Sequence, residues 1–161
     1  MLSYNVFLSP VGRITIAANI TSLRELHLED DRYFSTIPHD WVYDPRHKIL
    51  LQAHKELVEY FEGHRSRYSV PVTFTGTAFQ IAVWNQLKNI PLGKSLTYRE
   101  IAALIDKPKA VRAVGTAVGR NPICIIIPCH RVLASDGSLG GYVAGLERKQ
   151  YLLAQEDALH T

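Results

Sequence analysis

The sequence predicts an α/β N-terminal domain, built of an antiparallel sheet and one helix, followed by a mainly α C-terminal domain with a helix-turn-helix. Three observations predict this fold. Short β-like runs dominate the start of the chain, two capping patterns open helices in the second half, and a β-branched apolar run at residues 123–127 ends in the unusual tetrapeptide PCHR. The chain of 161 residues is long enough to bury a core as one domain or two small ones.

The first domain is expected to span residues 1–74. Its runs YNVFLS, RITIAAN and LRELHLE have the composition of strands, and Pro10-Val11-Gly12 separates the first two, which predicts an antiparallel meander. The stretch YFSTIPHDWVYDP has no period and is expected to be a connector. From about Pro45 to Glu62 apolar residues recur at helical spacing, and Gly63 is the expected stop.

The second domain is expected to span residues 75–161. It begins with two capping-box patterns, TAFQ at residues 77–80 and TYRE at residues 97–100, in which the threonine can cap the helix and the fourth residue can reach back. Pro108 ends the second of these helices, and the run AVRAVGTAVG predicts another short helix after it. A helix, a tight turn and a second helix predict a helix-turn-helix.

The net charge of +3 is unevenly distributed. Residues 91–121 contain six lysines and arginines against two acidic residues, so the remainder of the chain is slightly negative. A basic segment of this kind indicates a polyanionic partner, although a solvated charged face is the simpler explanation on charge alone. The last predicted helix of this segment is almost without bulky side chains except for Arg112, which favours close approach to a nucleic-acid groove over mere helix packing.

Several classes of protein are excluded by composition. No apolar run approaches the roughly 20 residues of a membrane span, so no membrane partner is expected. The N-terminus lacks the layout of a signal peptide, and two cysteines without a secretion signal predict free thiols in a reducing compartment. The cytoplasm is therefore the expected location. The spacing C-x4-C-H matches no usual zinc pattern, so no metal site is expected.

Residues 121–137 contain the candidate nucleophile of the chain. The run at residues 123–127 predicts a strand buried on both faces, which Pro128 must end. Cys129 would emerge there beside His130 and Arg131, two groups able to lower the thiol pKa from about 8.5. These residues alone leave two interpretations open, a nucleophilic thiol and a structural one. Cys124, inside the apolar run, is expected to be an inert buried thiol.

Four segments carry a resemblance to a known family. The runs NPICIIIPCHRV, SLTYREIAAL, KAVRAVG and GGYVAGLERKQYLL resemble the O6-alkylguanine-DNA alkyltransferases, the methylated-DNA–protein-cysteine methyltransferases of DNA repair. The resemblance is strong over residues 75–156 and rests on length and strand order before them. It implies a ribonuclease-H-like N-terminal domain and a C-terminal domain that contains the helix-turn-helix.

The activity implied by this resemblance is direct-reversal DNA repair. The alkyl group of O6-alkylguanine, and of O4-alkylthymine, in duplex DNA would pass irreversibly to Cys129 after nucleotide flipping. The resemblance therefore implies a single-turnover suicide enzyme without a cofactor, with double-stranded DNA as its partner. It is expected to be a monomer, cytoplasmic or, in a eukaryote, nuclear.

The resemblance also assigns catalytic residues. Cys129 matches the alkyl acceptor, His130 the base that takes the thiol proton through a water, and Glu156 the acidic partner of that base. Asn121 matches the residue that ties the recognition helix to the active-site strand, and Tyr98 the residue that assists the leaving oxygen.

The remaining assignments concern the DNA and the base. Arg112 matches the arginine that enters the duplex in place of the flipped nucleotide. The other expected DNA-binding residues are Tyr98, Arg99, Lys107, Thr116 and Ser135. The expected lining of the guanine pocket is Val132, Tyr142, Val143 and Ala144.

Three other functions are less consistent with the residues. A non-catalytic lesion sensor on this scaffold has tryptophan at the acceptor position, where this chain has Cys129. A transcription factor should carry several base-reading side chains on its recognition helix, whereas this one offers only Arg112 and Thr116. A cysteine hydrolase should turn over esters or amides without DNA.

Overall fold

The computed structural model describes residues 1–160, the last of them by its backbone only. Its first half is a four-stranded sheet in the order β3-β2-β1-β4, with one helix against β1, β2 and β3. The strands β1 to β3 form the predicted antiparallel meander, and β4 pairs in parallel with β1. These elements are β1 (Ser3–Ser9), β2 (Gly12–Ala18), β3 (Leu23–Leu28), β4 (Val42–Tyr43) and α1 (Lys48–Phe61).

The two inner strands of the sheet differ in burial. Strand β2 is buried continuously from Ile14 to Ala18, whereas β1 is only half-buried. Gly12 has a φ of 97°, a left-handed conformation that suits glycine in the tight turn between these strands. The connector prediction for YFSTIPHDWVYDP is wrong at its end, where the edge position beside β1 allows Val42 and Tyr43 to form β4.

The second half is mainly helical, as predicted. Among its described residues, one small sheet is formed by a parallel pair of two-residue strands, which joins the start of α3 to the residues after Arg131. Its elements are α2 (Ala78–Lys88), β5 (Leu96–Thr97), α3 (Tyr98–Leu104), α4 (Val111–Gly119), a 3₁₀ turn (Cys129–Arg131), β6 (Val132–Leu133) and α5 (Leu146–His160). None of the helices in the described part of the chain is long and apolar enough to cross a membrane.

Both predicted capping boxes are present. Thr77 caps α2 and Thr97 caps α3, each accepting a hydrogen bond from the backbone amide three residues on while that residue's side chain accepts from the threonine amide. A short turn with Asp106 at a φ of 60° leads from α3 to α4. The indole of Trp84, in α2, donates a 2.8 Å hydrogen bond to the carbonyl of Ala117, which fixes α4 on the domain core.

The predicted strand at residues 123–127 is not formed. Its residues are buried as predicted, but only Ile123 makes a bridge, to Leu26, and the chain then curls into a tight turn. Ile127 donates its amide hydrogen bond back to the carbonyl of Ile123, and Ile125 has a φ of 69°, a strained value for a β-branched residue. The apolar composition therefore reflects burial on all sides and not a place in a ladder.

Segments from both halves of the chain form backbone hydrogen bonds with the outer edge of β3. The amide of Leu26 donates to the carbonyl of Pro122 at 2.8 Å, and the amide of Cys124 donates to the carbonyl of Leu26 at 3.0 Å. Nearer the start of β3, Leu23 exchanges backbone hydrogen bonds with Pro71 and Thr73. The predicted boundary between residues 74 and 75 falls after this segment and stays a prediction.

Replacing Trp84 by phenylalanine tests the support of α4. The variant removes one of the two donors to the carbonyl of Ala117, the other being the amide of Arg120, and the smaller ring leaves a cavity in the core. We therefore expect the free energy of unfolding to fall by about 2 kcal/mol in urea titrations. Trp41→Phe, in the half-exposed connector, should change it by less than about 1 kcal/mol. Equal losses in the two variants would show that the indole bond does not support the helix.

Candidate active site

A cavity of about 450 Å³ lies between the two halves of the molecule, with Cys129 in its wall. Helix α4 forms one side and the loop Gly141–Val143 another, and the N-terminal half contributes the turn at Arg32 and Tyr33. The side chain of Cys129 is 2% exposed, so the thiol is almost completely removed from solvent. The lining residues are Arg32, Tyr33, Tyr98, Val111, Arg112, Gly115, Thr116, Val118, Gly119, Cys129, Gly141, Tyr142 and Val143.

The curled segment before Cys129 is held by one side chain. The amide nitrogen of Asn121 donates to the carbonyls of Ile127, at 2.7 Å, and Ile123, at 3.4 Å. Its oxygen accepts from the amide of Ile123 at 3.0 Å. Because Asn121 lies two residues after the end of α4, it links that helix to the segment that carries the thiol.

The surroundings of Cys129 favour its thiolate. Hydrogen bonding with Cys124 is the largest cause that lowers the pKa of Cys129, and hydrogen bonds with Asn121 and Tyr142 and the charge of Lys149 act in the same direction against burial. The Tyr142 hydroxyl lies 3.9 Å from the sulfur of Cys129. The same thiol contact, together with burial, raises the pKa of Cys124, so Cys124 keeps its proton.

Cys124 is therefore buried as predicted, and because its raised pKa keeps it protonated, its inertness as a nucleophile stays a prediction. Hydrogen bonding of the Cys124 thiol with Cys129 lowers the pKa of Cys129, and the sulfur of Cys124 also lies 3.9 Å from the carbonyl oxygen of Asn121. A thiol has a single proton to donate, so it can serve only one of these acceptors at a time. The sequence does not reveal this contact, because the strand expected there would have kept the two side chains apart.

Behind the thiol lies a buried ionic cluster centred on Glu156. Its carboxylate receives hydrogen bonds from Nε2 of His130 at 2.6 Å, from Nε of Arg131 at 2.8 Å and from the hydroxyl of Tyr60 at 2.5 Å. Burial alone would raise the pKa of Glu156, but the bonds to His130 and Arg131 outweigh it and lower that pKa to about 2. The carboxylate therefore stays charged at neutral pH.

His130 is fully buried and neutral. Burial lowers its pKa, while hydrogen bonding to Glu156 opposes this effect. Since Nε2 carries the hydrogen directed at Glu156, Nδ1 holds a free lone pair, and Nδ1 has no hydrogen-bond partner among the described residues. The arrangement thus presents an unused proton acceptor within one residue of Cys129.

The roles of three residues in this site could not be predicted from the sequence. Lys149 in α5 is completely buried, and its Nζ donates to the carbonyls of Val132 at 2.6 Å, Leu139 at 2.5 Å and Gly141 at 3.0 Å. Burial lowers its pKa to about 8, although the charge of Cys129 opposes this. No sequence signal separates this lysine from the solvated charges of α5.

The other two missed residues are Arg131 and Tyr60. Arg131 was expected only as a cation beside the thiol, but it donates to Glu156 and, at 2.6 Å, to the carbonyl of Ile90. Tyr60 belongs to α1 of the N-terminal half, far away in sequence, and only the folded chain brings it to Glu156. The N-terminal half therefore contributes directly to the cluster behind the thiol.

The predicted DNA-facing residues divide into two groups. Arg112, Thr116 and Tyr98 line the cavity, and Arg99, Lys107 and Ser135 are exposed outside its wall. The Tyr98 ring packs against α4, where a Cβ on Gly115 would lie 3.8 Å from it. The small side chains of α4 thus allow close packing on its inner side and leave its outer surface smooth.

Two of the four predicted pocket residues lie elsewhere. Tyr142 and Val143 line the cavity with Cys129, but Val132 and Ala144 do not. Val132 is fully buried with its carbonyl bound to Lys149, and Ala144 faces a second cavity beside the β1–β2 turn. A buried thiol with a lowered pKa, in a cavity that Arg112 also lines, is an arrangement suited to chemistry on a nucleic acid.

Comparisons with known proteins agree with this geometry. Residues 2–74 match the family described as 6-O-methylguanine DNA methyltransferase, ribonuclease-like domain, and residues 78–158 match its DNA binding domain. The methylated-DNA–protein-cysteine methyltransferase of Methanosarcina barkeri is 44% identical over 154 residues, 96% of each chain. That of Haemophilus influenzae is 41% identical over 156 residues, 96% of this chain and 86% of the relative.

Solved structures show the same similarity. The crystal structure of Mycobacterium tuberculosis OGT in complex with DNA has a TM-score of 0.91 and 39% identity, covering 98% of this chain and 94% of that one. The chain belongs to the family of methylated-DNA–protein-cysteine methyltransferases. The predicted family and two-domain fold are confirmed, and so is the predicted activity, direct-reversal DNA repair by alkyl transfer to a cysteine.

The low pKa of Glu156 makes stability depend on pH. A carboxylate whose pKa falls from 4.5 to about 2 on folding stabilises the native state above pH 4.5, and this contribution is lost as the pH falls towards 2. Glu156→Gln leaves Arg131 without its anion, so at pH 7 we expect a loss of about 3–5 kcal/mol in urea unfolding.

The matched control is Glu147→Gln, an exposed residue of the same helix, which should unfold like the wild type. The difference between Glu156→Gln and the wild type should shrink between pH 4.5 and pH 2. A difference that stays constant over this range would contradict the ion-pair explanation.

Lys149→Met tests the three bonds to the loop. The variant keeps the length of the side chain but leaves the carbonyls of Val132, Leu139 and Gly141 without their donor. We expect the amides of residues 133–141 to exchange with solvent deuterium about 10-fold faster. Lys55→Met, an exposed lysine of α1, is the control and should leave this exchange unchanged.

Proposed function

We propose that this chain repairs O6-alkylguanine in double-stranded DNA by transferring the alkyl group irreversibly to Cys129, and that O4-alkylthymine is a second substrate. One observation carries the proposal: a buried thiol with a lowered pKa lines a cavity that opens beside α4. The cavity of about 450 Å³ lies within the range of small-molecule sites, so it is large enough for an extruded base.

The first step is removal of the proton of Cys129. Neutral His130 accepts it at Nδ1 through a water molecule, since its other nitrogen is held by Glu156. The carboxylate of Glu156 then stabilises the positive charge that His130 acquires. This role is supported by the pKa of Glu156, which keeps the carboxylate ionised at neutral pH.

The target base must leave the duplex, because its O6 substituent lies inside the stack. Helix α4 offers a surface of small residues to the minor groove, and Arg112 at the cavity mouth takes the place of the flipped nucleotide. The exposed residues Arg99, Lys107 and Ser135 contact the DNA backbone together with Thr116.

The chemical step is a single displacement. A bond forms between the sulfur of Cys129 and the alkyl carbon while the bond from that carbon to O6 breaks, and guanine leaves as an oxyanion that needs a proton. Tyr98 is the proposed donor, because burial and the charge of Cys129 raise its pKa and keep it protonated. The product is a thioether that water does not cleave, so each chain acts once and requires no cofactor.

The setting of this reaction is part of the proposal. The relatives come from bacteria and archaea, and in these organisms the chromosome lies in the cytoplasm. We therefore propose that this chain acts in the cytoplasm. We propose that it acts as a monomer, because the described chain brings together all the residues named in the mechanism.

Intact-protein mass spectrometry tests the proposed function. Mixed with a short duplex that contains O6-methylguanine, the protein should gain one methylene, about 14 Da, and the gain should stop at one per chain, because the thioether is not hydrolysed. Peptide mapping should place the added mass on Cys129.

Two variants complete this experiment. Cys129→Ser should bind the duplex without gaining mass, and Cys124→Ala should still gain it, more slowly because the thiolate of Cys129 loses a hydrogen-bond donor. Binding without any mass gain in the wild type would instead indicate a lesion sensor. Release of many methyl groups per chain would indicate a hydrolase.

A further inference from the structure

The turn Asp31–Tyr33 of the N-terminal half reaches the site of the C-terminal half. Arg32 and Tyr33 line the same cavity as Cys129 and Arg112, although the helix-turn-helix lies about 80 residues further along the chain. The roles considered so far use none of the side chains of this turn. Its position beside α4 therefore calls for an explanation of its own.

The backbone of the turn is fixed by hydrogen bonds. The amide of Arg32 donates to the carbonyl of Val143 at 3.1 Å, which fastens the turn to the cavity loop. The amide of Tyr33 donates to Oδ1 of Asp31 at 2.8 Å, and Oδ2 of that buried carboxylate lies 3.2 Å from Nδ1 of His27. The turn thus presents its two exposed side chains from a preorganised backbone.

The ring of Tyr33 holds two guanidinium groups. Arg120, which directly follows α4, places its Cζ 3.8 Å from the ring centroid, and the Cζ of Arg32 lies 5.9 Å from it. The ring itself is 44% exposed, and both arginines are exposed. Two cations from different halves of the molecule are therefore gathered on one aromatic surface next to the recognition helix.

The acidic side chains nearby do not neutralise these cations. Asp31 is buried and engaged with His27, Glu25 binds the other nitrogen of that ring at 2.7 Å, and Asp30 lies 3.5 Å from Arg148. Within the described residues, no carboxylate forms an ion pair with either arginine of the Tyr33 ring. None of the lining residues of the cavity is acidic.

We infer that Arg32 and Arg120, held on the ring of Tyr33, bind the phosphate backbone of the DNA beside the flipped nucleotide. These three residues are called the phosphate clamp below. Guanidinium groups match phosphate oxygens in geometry and charge, and the clamp lies where the backbone must pass if α4 enters the groove. The inference rests on the proposed function only in taking DNA as the polyanion, and it makes the N-terminal half part of the DNA-binding surface.

The salt dependence of DNA binding tests the clamp. Each neutralised phosphate contributes about 0.9 to the slope of log K against log salt concentration. For an unmodified duplex measured by fluorescence anisotropy, Arg32→Gln and Arg120→Gln should each reduce the slope by about 0.9 and weaken binding about 10-fold at low salt. The double variant should reduce the slope by about 1.8.

Matched variants exclude a trivial loss of structure. Arg32→Lys and Arg120→Lys retain the charge, so the slope should stay at the wild-type value while affinity falls less than in the glutamine variants. Arg46→Gln removes one exposed charge from the N-terminal half outside the cavity and should leave the slope unchanged. Glutamine variants of the clamp with the wild-type slope would overturn the inference, as would an equal fall in Arg46→Gln.

The experiment separates the clamp from the alkyl transfer itself. Binding to an unmodified duplex does not involve the chemistry at Cys129, so failure of the methyl transfer described above would leave the slope measurement valid. Conversely, a wild-type slope in the clamp variants would refute the clamp while leaving transfer to Cys129 untouched. A wild-type protein whose binding is independent of salt would refute both the clamp and a phosphate-directed DNA interface.

Discussion

A buried thiol can act as a nucleophile only if its surroundings stabilise a negative charge away from water. Burial alone raises the pKa of Cys129, and the fold opposes this with hydrogen bonds from Cys124, Asn121 and Tyr142 and with the charge of Lys149. These groups come from the curled apolar segment, the cavity loop and α5. These three elements therefore meet at one sulfur atom and together stabilise its negative charge.

The carboxylate of Glu156 is a second buried negative charge, in addition to that of the thiolate, and it too is compensated by its neighbours. The carboxylate of Glu156 is as deeply buried as the thiol, and His130, Arg131 and Tyr60 satisfy it. A buried charge with several donors costs little only while all of them remain in place, so the cluster ties α1, α5 and the 3₁₀ turn together. The N-terminal half thus contacts the catalytic half at two places. Tyr60 binds Glu156, and the Asp31–Tyr33 turn contributes to the wall of the cavity that contains Cys129.

Local signals in the sequence predict local structure well in this chain. The meander, α1 and both capping boxes are confirmed because each depends on residues a few positions apart. The strand predicted at residues 123–127 is wrong because the side chain of Asn121 takes up carbonyls that a ladder would have used, which composition does not reveal. Tyr60, Lys149 and the Cys124 contact were missed because their partners are distant in sequence or lie on a turn instead of a strand.

The most direct measurement is the pH dependence of the reaction of Cys129 with iodoacetamide, followed by peptide mass spectrometry over pH 6 to 10. Only the thiolate reacts, so the midpoint reports the pKa of each cysteine. We expect Cys129 to titrate below the ordinary range of a thiol, about 8.5 to 9.0, and Cys124, in the same samples, to remain unmodified because its pKa is raised. A midpoint for Cys129 at or above 9.0 would show that the cavity does not stabilise the thiolate, and this would contradict the activation of Cys129 by its surroundings.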